Sequence, residues 1–390
     1  MSSSKLHFYD RGCVLSLPFE LQQLLADWSS LRLQMTRALP PGFERDEWAY
    51  LIQVLSEENL GSVFSASFGA PCPDSKAVSV LLRPRGCVAV WLPNNVSLLG
   101  PLTLVLLSLS GNRLLLKGGS RSQDMTGDFL AYVFEHLRPG ALRDHLETRV
   151  EYAAFDRSDP RNAEFAASAH VRVLFGSDAA AAAINALQHP LESSEFAFID
   201  RRSEAWIEVG CLTDEVLDTL CKVFGIYGQA GCTSPRRLVL LNADESQALE
   251  VRERLCARWE SLMQKSPAPH LASANVMASQ WARALGWDAR LAERNAALFL
   301  AGAASLEAIE APMALAVVAL SMQEALAQLP ENIQTIGHVL PESDQRELLQ
   351  AVGDSRIKRL VPLARMHHFG PLWDGANFWR QSFEEVEVEL

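Results

Sequence analysis

Residues 224–241 read FGIYGQAGCTSPRRLVLL, and this stretch hangs one cysteine, Cys232, between a helical pattern and an apolar strand. Gly228 and Gly231 remove Cβ and let backbone approach closely. Gln229 and Thr233 supply polar neighbours, and Pro235 closes the turn ahead of the apolar run 238–241. A thiol so placed lies at an accessible loop tip. Cysteines of intracellular chains are more often small buried hydrophobes, and it is the flanking glycines and the Ser-Pro turn that mark Cys232 as a candidate nucleophile.

Outward from this loop the chain alternates short apolar strands with helical patterns. From Gly86 the order is VAVWLP, a helix at about 96–110, RLLLK, a helix at about 123–137, and strands at 149–154 and 171–175. The last of these runs into GSDAAAAAINAL, a strand, a tight turn and an alanine-rich helix. After about residue 195 come AWIEVG, a helix over 213–224, the cysteine loop and RRLVLL. A further set, MALAVVAL, NIQTIGHVL and IKRLVPLA, is separated by helical patterns at 321–328 and 341–351. This rhythm predicts an α/β protein with mostly parallel sheet. Ahead of it, amphipathic patterns at 17–35 and 46–55, split by Pro40-Pro41, form a helical preface.

Composition narrows the chemistry. With 390 residues, 48% of them hydrophobic, the chain can bury a large core, and its length predicts two domains or one elaborated α/β unit. A net charge of −12 argues against a nucleic-acid surface, which needs clustered Lys and Arg. Seven cysteines without CxxC pairs or histidines at ligand spacing argue against a disulfide framework or a metal centre. The first residues carry no secretory pattern and no run reaches membrane-spanning length, so a cytoplasmic location away from membranes is expected.

Two more turns carry candidate chemistry. Gly176 and Ser177 present backbone donors and a hydroxyl where a strand meets a helix, a place suited to phosphate and equally to an ordinary N-cap. The segment is not Gly-x-Gly-x-x-Gly. Asn94 and Asn95 follow a buried strand at its carboxyl end, where they cap the next helix or donate to a developing oxyanion.

In order, these pieces resemble the aldehyde dehydrogenase superfamily, and within it the acyl-CoA reductase branch typified by the LuxC-type fatty acid reductase of bacterial bioluminescence. The resemblance runs from about Arg85 to the C-terminus. It implies a Rossmann-type cofactor domain, an α/β catalytic domain and a small oligomerisation element. PRGCVAVWLPNN is similar to the segment that ends in the oxyanion-binding asparagine, here Asn95. LSGNRLLLKGGSRSQ resembles the strand that ends in the cofactor-ribose lysine, here Lys117, followed by Ser120 and Arg121. LFGSDAAAAAI is similar to the turn under the cofactor pyrophosphate, giving Gly176 and Ser177. GQAGCTSPRRL resembles the nucleophile motif of the reductases, and RIKRLVPLARMHHFGPLWDG their C-terminal signature, with His367 and His368 expected to line the thioester site.

One departure separates the chemistries. Ordinary aldehyde dehydrogenases carry a water-activating glutamate upstream of the cysteine; in FAFIDRRSEAWI, Phe198 stands at that place, with Asp200 or Glu204 taking it in a shifted register. Loss of the water activator fits an acyl-enzyme exchanged with a thiol. The resemblance therefore implies reduction of an acyl-CoA or acyl carrier protein thioester to an aldehyde by NADPH, with NADH as the alternative. Hydrolytic aldehyde oxidation, cysteine acyl transfer and a catalytically silent partner subunit are the competing readings. Arg121 is placed to meet a 2′-phosphate, and Glu307 or Glu310 falls near the family's nicotinamide-ribose glutamate in a degraded motif. The expected domains are a helical preface over 1–60, a cofactor domain over 61–195 with part of the C-terminal region, a catalytic domain over 196–345, and a C-terminal strand over 380–390. That strand makes a homodimer or larger assembly the expectation, alongside an acyl-supplying partner enzyme.

Overall fold

The computed structural model describes residues 21–68, 79–119, 124–263, 269–292 and 296–388. Two compact units emerge. One runs to Ile199 and takes the chain up again from Phe369; the other is Asp200–His368.

The first unit is built on five parallel strands, β2 (Cys87–Trp91), β3 (Arg113–Gly118), β4 (Val150–Ala154), β5 (Val171–Gly176) and β6 (Ser194–Ile199), in the order β4-β3-β2-β5-β6. The chain steps outward from β2 through β3 to β4, then returns to the other side of β2. That reversal makes the carboxyl ends of β2 and β5 a topological switch point, the place where doubly wound sheets bind ligands. Every residue of β2 is buried, as the unbroken apolar run CVAVW requires of a central parallel strand.

Helix α4 (Leu99–Ser108) packs on β3 and on α5 (Met125–His136) and α6 (Ala141–Arg149). It is apolar all round and buried all round, which makes it a core helix; at ten residues it spans about 15 Å, half of a bilayer's hydrocarbon thickness. Gly100 is required there because a Cβ would collide with Thr126 of α5. Helix α7 (Arg161–Ser168) lies on β2 and α8 (Asp178–Asn185) on β5 and β6. Ahead of the sheet lie α1 (Leu21–Met35), α2 (Arg45–Val54) and α3 (Glu57–Ala66); the first two fall on the helical patterns at 17–35 and 46–55, and the third had no counterpart in the sequence reading. Trp28 fixes α1 to α4 through a hydrogen bond to Ser108 Oγ at 3.0 Å.

The returning segment forms a short hairpin, β14 (Leu372–Trp373) with β15 (Ala376–Asn377), and ends in β16 (Phe383–Val388), which pairs antiparallel with β1 (Ser79–Pro84). Trp379 anchors it: the ring is fully buried and its Nε1 donates to the Leu106 carbonyl of α4 at 2.6 Å.

The second unit carries seven strands in the order β13-β12-β7-β8-β11-β10-β9, parallel except for the edge strand β9. Their ranges are β7 Arg202–Glu208, β8 Pro235–Leu241, β9 Asp288–Leu291, β10 Leu298–Ala301, β11 Ala314–Leu320, β12 Ile333–Val339 and β13 Arg359–Pro362. Side chains alternate between two buried faces. Ala205 and Ile207 of β7 meet α9 (Asp214–Gly225) and α10 (Glu245–Leu262), whereas Trp206 faces the core that includes Ala282 of α11 (Pro269–Ala284), Ala325 of α12 (Met322–Ala327) and Leu348 of α13 (Glu342–Val352). Among the described residues no helix is long and apolar enough to cross a membrane, and no group of three or more His, Cys, Asp or Glu is placed to hold a metal.

Two outcomes follow for the first unit. Trp379→Ala is expected to lower its stability by about 3–5 kcal/mol and Trp379→Phe by about 1 kcal/mol, the difference between lost packing and one lost hydrogen bond, read by denaturant unfolding. Burial and the nearby Arg149 push the His145 imidazole of α6 down to about 4. The unfolded chain therefore binds this proton at a higher pH than the folded one, so stability falls as pH drops from about 6.5 towards 4, and His145→Gln flattens that slope in melting curves.

Candidate active site

The cysteine loop is prepared by the helix before it. Thr213 caps α9 by accepting from the Val216 N–H at 3.3 Å, Asp214 and Glu215 complement the first turn, and Leu217, Leu220, Cys221, Val223 and Phe224 bury one face. The helix stops at Gly225, where a Cβ would press on the Trp259 ring at 2.6 Å. A 3-10 turn, Ile226–Gln229, follows. Gly228 and Gln229 then adopt left-handed backbone in succession, φ 59° and 61°. For glutamine that conformation is costly, and its side chain shows what holds it. The Gln229 amide, 1% exposed, donates to the carbonyls of Pro235 at 2.9 Å and Ala314 at 2.6 Å, and accepts from the Ala314 N–H at 2.9 Å and from Arg236 at 3.1 Å. Met313, on the other side of this knot, is also left-handed at φ 52°.

Beyond Gln229 the chain makes one tight turn, with Ser234 N–H donating to the Gly231 carbonyl at 2.9 Å. Cys232 occupies the tip of that turn, partly exposed, at the amino end of β8. The Ser203 hydroxyl donates to the Cys232 carbonyl at 2.7 Å, and Thr233 Oγ1 meets His367 Nδ1 at 2.7 Å. The other described cysteines are in different settings. Cys87, Cys221 and Cys256 are buried, and burial pushes the first two up to about 11 and about 12 and raises the third. At Cys211 burial, then Glu208, raise the thiol. Thiols held protonated are poor nucleophiles.

His367 Nε2 sits 2.8 Å from the Val223 carbonyl, so it must be the donor, which leaves Nδ1 to accept from the Thr233 hydroxyl. Burial pushes this imidazole down to about 4, against the raising effect of the Val223 carbonyl. Both ring nitrogens are therefore engaged in a neutral ring, one residue along from the cysteine. His368 is half-buried; burial, Arg365 and Arg359 lower it, and Arg359 donates to its carbonyl at 2.6 Å.

In the first unit the structure brings Asn95, Lys117, Gly176 and Ser177 to one edge of the sheet, at the carboxyl ends of β2, β3 and β5, where the strand order reverses. Trp91 pairs with Lys117 across β2 and β3, and Asn95 follows Trp91 as an exposed residue. Lys117 is 9% exposed; its amine lies 5.7 Å from the Phe155 ring centroid, and burial lowers its pKa while Asp156 raises it. Gly176 has φ +156°. Ser177 is the N-cap of α8, accepting from the Ala180 N–H at 3.3 Å, with the first turn of the helix exposed. Ser120 and Arg121 lie outside the described residues. Sequence reasoning missed two residues packed at Gly118, the residue after Lys117: Tyr152, whose hydroxyl covers Gly118, and Asp124, which accepts from that hydroxyl and caps α5 at Gly127 N–H. Only Asp124 carried a signal, as an N-cap residue directly after a glutamine and ahead of an apolar helix.

Phe198, the alternative bases Asp200 and Glu204, and the ribose candidates Glu307 and Glu310 sit in different settings. Phe198 is buried, stacked on Phe175 at 5.0 Å between ring centroids, with Phe196, Trp373 and Phe378 also around it. Glu204 is 2% exposed and spends its carboxylate on Trp206 Nε1 at 2.9 Å and Arg237 at 2.8 Å; burial raises its pKa and Arg237 opposes that. Asp200 is exposed, with left-handed backbone at φ 39°. Glu310 pairs with Arg202, and the Glu307 carbonyl accepts from Trp287 Nε1 at 2.9 Å.

Against known proteins, the family model described as acyl-CoA reductase (LuxC) matches residues 51–379. Among the curated proteins nothing matches. Solved structures share the fold at low identity. A gamma-glutamyl-gamma-aminobutyraldehyde dehydrogenase from Burkholderia cenocepacia gives a TM-score of 0.70 at 13% identity, covering 95% of this chain and 84% of that one. The indole-3-acetaldehyde dehydrogenase of P. syringae, a cysteine-to-alanine mutant in complex with NAD+ and IAA, gives 0.66 at 11%, covering 95% and 84%. Betaine aldehyde dehydrogenase from Staphylococcus aureus gives 0.63 at 11%, covering 95% and 83%. The chain thus belongs to the LuxC acyl-CoA reductase family, oxidoreductases that here take the aldehyde dehydrogenase fold.

Proposed function

We propose that this protein reduces an acyl thioester to an aldehyde through an acyl-enzyme on Cys232, using a reduced nicotinamide dinucleotide. The observation that carries the reading is the presentation of Cys232 at the tip of a turn tied down on both sides, within a chain whose family is that of acyl-CoA reductases. The switch point of the first sheet supports it: Gly176, Ser177 and the exposed first turn of α8 offer backbone donors to a pyrophosphate, and Lys117 stands at the end of β3, on the other side of β2, for a ribose.

The Cys232 thiolate attacks the thioester carbonyl carbon, a C–S bond forms to the enzyme, and the CoA or carrier-protein thiol leaves with a proton. The reduced nicotinamide, when bound, supplies the hydride for the acyl carbon. Collapse of the resulting thiohemiacetal releases aldehyde and restores the Cys232 thiol. By resemblance, the Asn95 amide and the Cys232 backbone N–H stabilise the oxyanion, each donor being worth about 3 kcal/mol. The absence of a base at Phe198, and the commitment of Glu204 to Trp206 and Arg237, favour thiol exchange and reduction over hydrolysis. NADPH, with NADH as the alternative, is the cofactor of this reading on the strength of Arg121 in the sequence. A cytoplasmic location, with a homodimer or larger assembly fed by an acyl-supplying enzyme, completes the reading; the β1–β16 ribbon, too small to be stable alone, is the element assigned to assembly.

Steady-state turnover with a panel of acyl-CoAs tests the reading. Wild type is expected to consume NADPH and release aldehyde, and Cys232→Ala to do neither; persistent reduction in Cys232→Ala overturns it. Asn95→Ala is expected to lower kcat by about 100-fold with little change in KM for the thioester.

A further inference from the structure

Three polar contacts in the second unit converge on a single peptide. Ser203 Oγ donates to the Cys232 carbonyl at 2.7 Å, on one side of the Cys232–Thr233 bond. On the other, the Thr233 hydroxyl donates to His367 Nδ1 at 2.7 Å. His367 is fixed in turn: its Nε2–H donates at 2.8 Å to the carbonyl of Val223, one of the last-turn carbonyls of α9 that no helical N–H can reach. The backbone carrying His367 is ordered by Arg359, whose guanidinium donates to the carbonyls of Arg365 at 3.0 Å and of Met366 and His368 at 2.6 Å each. A line of hydrogen bonds therefore runs from the end of α9 through one imidazole to the residue after the cysteine, and a separate one runs from β7 to the cysteine itself.

The geometry points to His367 and Ser203 as positioning residues for Cys232, acting through Thr233 and through the Cys232 carbonyl to fix the peptide plane from which the thiol projects. Resting on Cys232 as the nucleophile, this deepens the proposed function by assigning roles to residues that never touch substrate. With both carbonyl and following hydroxyl held, the tip of the Gly231–Ser234 turn has no freedom to pivot. A nucleophile about 1 Å out of place loses on the order of a hundredfold in rate, so a clamp of this kind acts on kcat and on thiol accessibility and leaves thioester binding alone. The imidazole performs this as a neutral ring whose one proton belongs to Val223, a role separate from proton transfer to the thiol and distinct from the thioester contact that the C-terminal signature implied.

Replacements separate the two ends of the imidazole. Asparagine at 367 keeps an acceptor at the Nδ1 place and loses the Val223 donor; glutamine keeps a donor at the Nε2 place and loses the Thr233 acceptor. Thr233→Val removes the hydroxyl at nearly constant shape, and Thr233→Ser retains it. Two rates are read: iodoacetamide alkylation of Cys232, followed by peptide mass, and kcat for acyl-CoA reduction, with melting temperature measured for each protein. Thr233→Val, Ser203→Ala and His367→Gln are expected to slow both rates about tenfold with KM for the thioester within about twofold, while Thr233→Ser stays near wild type and His367→Asn, which keeps the Thr233 acceptor but loses the Val223 anchor, falls between wild type and His367→Gln. Equal rates for Thr233→Val and Thr233→Ser, or equal losses for His367→Asn and His367→Gln, overturn the proposal. Should Thr233→Val fail to fold, Thr233→Ala takes its place against Thr233→Ser under the same criterion. Alkylation needs neither thioester nor nucleotide, so a series that alkylates as expected but never reduces an acyl-CoA sinks the proposed function and leaves the clamp standing.

Discussion

The buried amide of Gln229 is the tie on which the cysteine turn depends. An amide side chain has two donor and two acceptor sites, and all four are used here, on Pro235, twice on Ala314 and on Arg236. The arrangement joins the chain before Cys232 to the strand after it and to β11 beside it. It also explains why a glutamine tolerates a left-handed backbone in a position preceded by a left-handed glycine. Removing one partner would leave buried polar atoms unsatisfied, at about 1–3 kcal/mol each. Strain next to a functional turn persists when the surroundings over-determine it, and four bonds to one amide do that.

The candidate residues lie at opposite ends of the two sheets. In the first unit the candidate residues gather where β2 and β5 finish, as the reversal of strand order dictates for an open parallel sheet. In the second unit Cys232 precedes β8, and the residues hydrogen-bonded to its turn come from the starts of β7 and β8 and from the turn after β13. Covering the faces of this second sheet, α9 and α10 on one side and α11, α12 and α13 on the other supply the rigidity that a precise turn needs.

Much of this was legible in the sequence because the signals are local. Apolar runs of strand length alternating with helical spacing gave the parallel sheets, and the predicted strands 149–154 and 171–175 and helix 213–224 lie within a residue or two of β4, β5 and α9. The glycines at 228 and 231 and the Ser-Pro turn marked the cysteine loop, and Gly176-Ser177 was read as both cap and phosphate turn; the cap is directly visible in the bond to Ala180. What stayed hidden is long-range. No pattern in the chain says that His367 reaches back 134 positions to Thr233, or that the segment from Phe369 leaves the second unit and seats Trp379 against α4. Nor does the sequence reveal that Glu204, a plausible base by position, is consumed by Trp206 and Arg237, since that depends on which strand lies beside β7.

The central claim is that Cys232 carries the acyl group. Intact mass of the wild-type protein after incubation with an acyl-CoA, in the absence of any nucleotide, tests it most directly. One added acyl mass, labile to hydroxylamine and mapped to the peptide containing Cys232, is the predicted result; an unmodified protein, or an acyl group on any other cysteine, would contradict the account.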